Sequence, residues 1–318
     1  MTGTKWTEAD IPAQDGRTVV ITGANSGLGL RSAVVLAEKG ARVLLACRSA
    51  ERGQRALGEV AEVATGPAPE LVRLDLASLD SVREAAAEIR KSTGDSVDVL
   101  LNNAGLMAPP QGHTIDGFET QFGTNHLGHA ALTWLLMPAL RASDGVSRVV
   151  TLSSVVATGA RISLNDPNFE TRRYFPAIAY GQSKLANQVF ALELDRRLRA
   201  AGEPVLSVAA HPGYTRSGLS SGMANAQRNA VLRTVVGAGT AVSDQLFAQS
   251  TRMGTLPQLY AATAPEVEGG AYYGPDGFAG TRGFPTRVRP LGPARNEPLG
   301  AGLWQLTAEM TGITPDPA

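Results

Sequence analysis

The stretch TVVITGANSGLGL, residues 18–30, decides the fold. An apolar, β-branched run that reads as a buried strand leads directly into a glycine loop and then into a helical pattern. Glycines at this spacing permit a tight turn and let the backbone approach a pyrophosphate that faces a helix N-terminus. Such a loop is often an ordinary turn when it stands alone. Here the strand and the helix are both present, so we predict a dinucleotide site. The residues predicted to bind it are Gly23, Asn25, Ser26, Gly27, Leu28 and Gly29.

The rest of the chain continues the alternation of short apolar runs and longer helical patterns. Strands are predicted at 18–22, 42–46, 70–74, 97–101, 148–154 and 205–210, and helices near 27–39, 50–62, 79–91, 116–141 and 179–200. Continuous Val/Leu runs are typical of strands buried on both faces. The pattern predicts an α/β fold with a doubly wound, Rossmann-type parallel sheet.

The C-terminal third departs from this pattern. Residues 216–263 are rich in Ser, Ala, Gly and Met and are expected to form a helical lid. A short strand near 269–274, a loop over 274–298 and a final helix near 301–312 follow. Because no polar break separates two cores, we expect residues 1–318 to form a single domain.

Composition excludes several classes of function. Lys plus Arg equals Asp plus Glu at 29 each, so no broad basic field attracts nucleic acid or an anionic membrane. The single cysteine, Cys47, allows no internal disulfide. The first 18 residues have no apolar core, so we expect neither a membrane anchor nor a signal peptide, and a cytoplasmic protein. His126 and His129 are expected to be packed polar residues, with no metal site.

The end of the second predicted strand, in LLACRSAERG (44–53), bears on the choice of dinucleotide. An acidic residue near this point holds the ribose hydroxyls of NAD, whereas this chain has Arg48, with Arg52 one turn later. A guanidinium suits a 2′-phosphate, so NADP is favoured over NAD. The alternative is a solvated arginine that begins the next helix.

Three further groups follow predicted strands at the same sheet edge. LLNNAG brings Asn103, Ala104 and Gly105, and RVVTLSS brings Ser153 and Ser154. One helical turn separates Tyr180 and Lys184, so both side chains emerge on one face. The ammonium, together with the positive nicotinamide ring of an oxidised cofactor, is expected to lower the pKa of the phenol, which makes Tyr180 a proton donor and acceptor, while a strand-end serine stabilises charge on a substrate oxygen. Alone, such a pair is usually a solvated helix face.

In combination, T-G-x-x-x-G-x-G, N-N-A-G, the strand-end serine, Y-x-x-x-K and HPGYT resemble the short-chain dehydrogenase/reductase family over residues 16–275. TGANSGLG, FGTNHLGHAALT and YGQSKLAN are similar to its retinol-dehydrogenase-like and WW-domain-oxidoreductase-like branch, to which protochlorophyllide reductases are related. The resemblance implies a catalytic Ser154 rather than Ser153, Lys184 on the nicotinamide ribose, and a water relay at Asn125. It also implies cofactor contacts from Asp75, Leu76, Pro212, Gly213 and Thr215.

The leading hypothesis is an NADP-dependent oxidoreductase that transfers hydride between nicotinamide and the carbonyl or alcohol of an uncharged, fairly apolar substrate. Two alternatives remain open: an NADP-binding redox sensor without turnover, and a sugar-nucleotide epimerase, which also uses Y-x-x-x-K. The family often pairs through the helices at 116–141 and 179–200, which allows a homodimer or homotetramer.

Overall fold

The computed structural model describes residues 5–215 and 249–317. Strands in these ranges form one sheet: β1 (Thr18–Thr22), β2 (Arg42–Cys47), β3 (Glu70–Arg73), β4 (Val99–Asn102), β5 (Ser147–Leu152), β6 (Val205–Ala210), β7 (Tyr272–Pro275) and β8 (Pro285–Val288). Their order is β3-β2-β1-β4-β5-β6-β7-β8, with β8 antiparallel to β7 and the other neighbouring pairs parallel. The predicted doubly wound parallel sheet is confirmed.

The helices of the described ranges are α1 (Gly27–Glu38), α2 (Ala50–Ala61), α3 (Leu79–Ser92), α4 (Thr120–Phe122), α5 (Gly128–Arg141), α6 (Pro176–Ala200), α7 (Thr251–Thr263) and α8 (Glu297–Thr311). Side chains of Ser49, Ser78, Ser250 and Asn296 cap the first turns of α2, α3, α7 and α8, which fixes where these helices begin. Within the described ranges, no helix combines the length and the apolar character needed to cross a membrane.

The core lies on both faces of the sheet. Val20 of β1 and Leu100 of β4 belong to one apolar cluster, together with residues of α3, α5, α6 and α8. Their sequence neighbours Val19 and Leu101 belong to a second cluster, with residues of α1, α2 and α7. Successive strand residues point to opposite faces, so continuous apolar strands are what a sheet covered on both sides requires.

Several helices and strands begin or end at residues other than those predicted. The helix predicted from 116 begins at Thr120 because the Glu119 side chain caps it, and a π-helical segment, Gly123–Leu127, joins α4 to α5. The strand predicted over 148–154 ends at Leu152, and Ser154 instead caps a short 3-10 helix, Val155–Ala157. The loop predicted over 274–298 is wrong in part, because it contains β8, which pairs with β7.

The C-terminal segments cover the sheet and its helices. Of the predicted lid, residues 216–248 lie outside the described residues. The remainder contains α7, which packs against α1 and buries Leu259 completely, so α7 belongs to the core rather than to a lid. Helix α8 packs against α6, where Trp304 stacks on Phe190 with ring centroids 5.5 Å apart.

The pairing of two copies of this chain, through the helices predicted at 116–141 and 179–200, stays a prediction.

The strand order places the site. From β1 the chain moves outward to β2 and β3, then returns to the other side of β1 as β4. The two halves therefore diverge at β1 and β4. Such a switch point leaves a crevice beyond the carboxyl ends of these strands, where open α/β sheets bind their ligands.

Candidate active site

A cleft of about 840 Å³ lies at this switch point, beyond the carboxyl ends of β1 to β6. The structure brings nearly all of the predicted site residues together along it. The predicted residues that line the cleft are Gly23, Asn25, Ser26, Gly27, Leu28, Gly29, Arg48, Asp75, Leu76, Asn103, Ala104, Gly105, Ser154, Tyr180, Lys184, Pro212, Gly213 and Thr215. Asn125 is fully buried behind the wall.

The glycine loop has a shape that side chains would fill. Gly23 adopts φ +67°, in the left-handed region, and a Cβ there would lie 3.0 Å from the Cα of Ala104. A Cβ on Gly29 would lie 2.5 Å from both the Gly23 carbonyl oxygen and Asn103 Nδ2. Helix α1 begins at Gly27, and the amides of a first helical turn have no partner within their helix. The cradle therefore fits a pyrophosphate group.

The Thr22 hydroxyl joins the glycine loop to the end of β4. Its oxygen accepts hydrogen bonds from the backbone amides of Asn103 (3.0 Å) and Ala104 (2.9 Å). The Asn103 side chain returns a bond to the Thr22 carbonyl oxygen at 2.8 Å. Sequence reasoning gave Thr22 no separate role, although it is the last residue of the strand before the first loop glycine.

His129 extends this network to the helical wall. Its Nε2 lies 2.8 Å from Thr22 Oγ1, and its Nδ1 lies 2.9 Å from the carbonyl oxygen of Asn125. Burial lowers the pKa of His129 to about 3, so the ring is neutral. A carbonyl oxygen only accepts, so the single ring proton lies on Nδ1 and is donated to Asn125. The two backbone amides occupy the acceptor sites of the Thr22 oxygen, so the Thr22 hydroxyl donates its proton to Nε2. Across residues 5–215 and 249–317, no cluster of His, Cys, Asp or Glu could hold a metal ion.

Asn125 lies in the π-helical segment and fixes the cleft wall. Its Oδ1 accepts the Leu106 amide at 2.9 Å, and its Nδ2 donates to the Leu106 carbonyl oxygen and to Ser183 Oγ, both at 3.0 Å. π-Helical turns inside α-helices are frequent at functional sites, because the inserted residue displaces side chains from the regular spacing. The contacts make Asn125 a support for the wall and for α6.

Tyr180 and Ser154 form the reactive end of the cleft. Tyr180 is only 5% exposed, and burial raises its pKa to about 12, while a hydrogen bond with Ser154 opposes that rise. From the protein's own groups, the net shift of the phenol pKa is therefore upward, because removal from water outweighs the hydrogen bond with Ser154. The predicted lowering by Lys184 together with an oxidised nicotinamide ring stays a prediction. The phenol is held protonated, as a proton donor requires.

Lys184 is buried one turn further along α6. Its Nζ donates to the Leu152 carbonyl oxygen at 3.2 Å, and burial lowers its pKa to about 8. Ser153 faces α6, where its hydroxyl donates to the Lys184 carbonyl oxygen at 2.8 Å. The two serines thus differ in their partners: Ser153 bonds the helix backbone, and Ser154 bonds the phenol.

The end of the cleft away from Tyr180 carries two arginine side chains. Arg48 and Arg52 line it where β2 ends, and neither forms an ion pair with a carboxylate of the described residues. Asp75 and Leu76 line the neighbouring wall after β3. On the opposite side Thr215 donates to the Pro212 carbonyl oxygen at 2.8 Å, which closes the turn after β6.

Comparison with known proteins agrees with this geometry. Residues 17–228 match the family model described as short chain dehydrogenase. Human retinol dehydrogenase 13 is 37% identical over 310 residues, which cover 96% of this chain and 87% of that protein. Mouse polyprenol dehydrogenase is 38% identical over 308 residues, 95% of this chain and 86% of that protein. A crystal structure of an uncharacterized protein from Mycobacterium paratuberculosis is 40% identical, with a TM-score of 0.79 and 98% of each chain covered.

The chain belongs to the short-chain dehydrogenase family, in its retinol-dehydrogenase-like branch. It is an oxidoreductase that acts on CH–OH groups of small molecules with a nicotinamide cofactor.

Proposed function

We propose that the protein is an NADP-dependent oxidoreductase that interconverts a carbonyl and an alcohol on an uncharged, fairly apolar substrate. The observation that carries this proposal is the order of groups along one cleft. The guanidinium groups of Arg48 and Arg52 line one end, the glycine cradle lies between, and the bonded pair Ser154 and Tyr180 lies with Lys184 at the other.

The protein's own groups have distinct tasks in this reaction. Tyr180 donates its phenolic proton to the substrate oxygen during reduction and removes it during oxidation. Ser154 donates a hydrogen bond to the same oxygen and stabilises the charge that develops there. Lys184, placed one turn away, stabilises the tyrosinate that proton donation leaves behind. A bound nicotinamide supplies or accepts the hydride.

The same residues suit the remainder of NADP. The Gly23–Gly29 loop and the start of α1 would hold the pyrophosphate, Lys184 the nicotinamide ribose, and Arg48 and Arg52 the 2′-phosphate. Asp75 and Leu76 would bound the adenine, and the Pro212–Thr215 turn the nicotinamide amide. Arg48 is exposed at the rim, so its side chain can turn toward a phosphate without leaving a buried partner.

The wall beside Tyr180 favours an apolar substrate. Leu106, Met107, Ala108, Val155 and Val156 line this part of the cleft. Among the lining residues that the structure describes, the ionic side chains other than Lys184 are Arg48, Arg52 and Asp75, at the cationic end. The relatives named retinol and polyprenol dehydrogenases support the same preference.

A carbonyl and alcohol panel, followed through NADPH absorbance, tests the proposal. We expect wild-type turnover on apolar ketones, aldehydes or alcohols, and loss of turnover in Tyr180→Phe with nearly unchanged NADPH affinity. NADPH binding without turnover across the panel would instead indicate a redox sensor. Reaction restricted to sugar nucleotides would indicate the epimerase alternative.

A further inference from the structure

Gln121 joins two segments that border the reactive end of the cleft. Its Oε1 accepts the backbone amide of Ala108 at 2.8 Å. Its Nε2 donates to the Pro176 carbonyl oxygen at 2.9 Å and to the Tyr174 hydroxyl at 3.0 Å. The Gln121 side chain is fully buried, and its bond to Ala108 is buried as well, while Tyr174 and Pro176 are partly exposed.

The first segment is the apolar wall formed by Leu106, Met107 and Ala108. Ala108 adopts φ +51°, a left-handed conformation that an alanine keeps only where its surroundings impose it. Asn125 bonds both backbone groups of Leu106, and Gln121 bonds the Ala108 amide. Met107 therefore lines the cleft between two residues, Leu106 and Ala108, whose backbone is held by hydrogen bonds.

The second segment begins the helix that carries the reactive phenol. Pro176 is the first residue of α6. In an α-helix its carbonyl accepts the amide of the residue four positions later, which is Tyr180. One carboxamide thus contacts both the wall on which a substrate lies and the turn that positions Tyr180.

The orientation of this carboxamide is set by its surroundings. Tyr174 donates its proton to Glu119 Oε1 at 3.1 Å, which leaves the phenolic oxygen free to accept from Gln121. Glu119 is fully buried, accepts the backbone amides of Gln121 and Phe122, and lies near His113. The Nε2 group must therefore face Tyr174 and Pro176, and Oε1 must face Ala108.

We propose that Gln121 is a positioning residue that fixes the separation between the substrate wall and Tyr180, and thereby selects substrates by their bulk beside the reacting carbon. The inference rests on the proposed carbonyl/alcohol activity. It concerns how Gln121 acts through Ala108 and Pro176, and involves no contact of Gln121 with the substrate.

The isosteric variant Gln121→Glu tests this directly. Its protonated carboxyl can still accept from Ala108 and donate to Pro176, whereas the carboxylate repels the Pro176 carbonyl oxygen. We expect near wild-type KM at acid pH and a rise of about tenfold, the loss of one buried hydrogen bond, as the pH increases. Gln121→Met, which loses all three bonds, should show the raised KM and an altered ratio of kcat/KM between bulky and small carbonyls at every pH.

Gln188→Met is the matched control. Gln188 is equally buried and lies on α6, but its Oε1 accepts the Leu291 amide, away from the cleft wall. This variant should lose stability while keeping the wild-type substrate ratio and pH profile. NADPH affinity should stay unchanged in all three variants.

Hydrogen exchange of the backbone amides in 104–110 gives a readout that needs no turnover. The Ala108 amide should exchange faster in Gln121→Met than in Gln188→Met. A wild type without turnover, combined with this faster exchange, would refute the proposed activity and leave the positioning contact intact. A Gln121→Met protein that melts earlier but keeps wild-type exchange, substrate ratio and pH profile would overturn the inference.

Discussion

The replacement Thr22→Val tests whether one hydroxyl holds the cofactor cradle to the neighbouring strand end. Thr22 is fully buried, and valine has nearly the same shape, so the change removes the hydroxyl without opening a cavity. The amides of Asn103 and Ala104 lose their acceptor, and His129 Nε2 loses its donor.

The expected magnitude follows from these lost bonds. Each buried polar group left without a partner costs about 1–3 kcal/mol. Asn103 and Ala104 are partly exposed, so water can reach their amides and the lower part of that range applies. We expect a total loss of roughly 2–4 kcal/mol, which is on the order of 3–6 °C in Tm for a chain of this size.

Calorimetry and NADPH titration measure the two consequences. Thr22→Ser keeps the hydroxyl and is the control, expected to melt within a few degrees of wild type and to bind NADPH normally. Thr22→Val should also weaken NADPH binding by about tenfold, because the amides of 103 and 104 no longer fix the cleft floor. If Thr22→Val and Thr22→Ser gave the same Tm and Kd, the hydroxyl would have no such function.

Three further changes test individual side chains. Ser154→Ala should reduce kcat by about 10²- to 10³-fold, the effect of removing one donor to a developing oxyanion, and Ser153→Ala far less; the reverse order would contradict the assignment. Arg48→Asp should reduce the preference for NADP over NAD by at least tenfold, since a charge-assisted bond contributes ~1.5–3 kcal/mol; unchanged Kd values for both cofactors would leave Arg48 a solvated arginine. Burial lowers the pKa of Lys184 from 10.5 to about 8, so the unfolded chain binds more protons between these values. Urea unfolding of the wild type, compared with Lys184→Met, should therefore show a free energy that rises from pH 8 to 10.5, and a flat difference would contradict the burial argument.

The sequence predicted the fold and the composition of the cleft well, for a definite reason. Parallel strands that end at one edge bring the residues after them together, so LLNNAG, RVVTLSS and the glycine loop had to meet once the sheet was predicted. The predicted residues that line the cleft do so because nearly all of them follow strands or lie near the start of helices at this edge, whereas Asn125 is buried behind the wall.

What the sequence could not predict depends on burial and on local backbone geometry. The pKa of Tyr180 is raised because the fold removes the phenol from water, and a helical spacing alone gives no measure of that. The π-helical segment at Gly123–Leu127 and the left-handed Ala108 arise from tertiary contacts, so no periodicity shows them. Strand β8 was not predicted because it has no continuous apolar pattern, and it forms through its pairing with β7.

A four-residue spacing of polar side chains explains how the wall of the cleft is held in place. Gln121, Asn125 and His129 recur every four residues along a helical region that is otherwise largely apolar, and each is almost completely buried. Such a row is expensive to bury unless every polar atom finds a partner. Gln121 bonds Ala108, Asn125 bonds Leu106, and His129 bonds Thr22. The row therefore joins the substrate wall to the cofactor cradle through neutral groups alone, which leaves the charge beside the reacting atoms to be set by Lys184 and Tyr180.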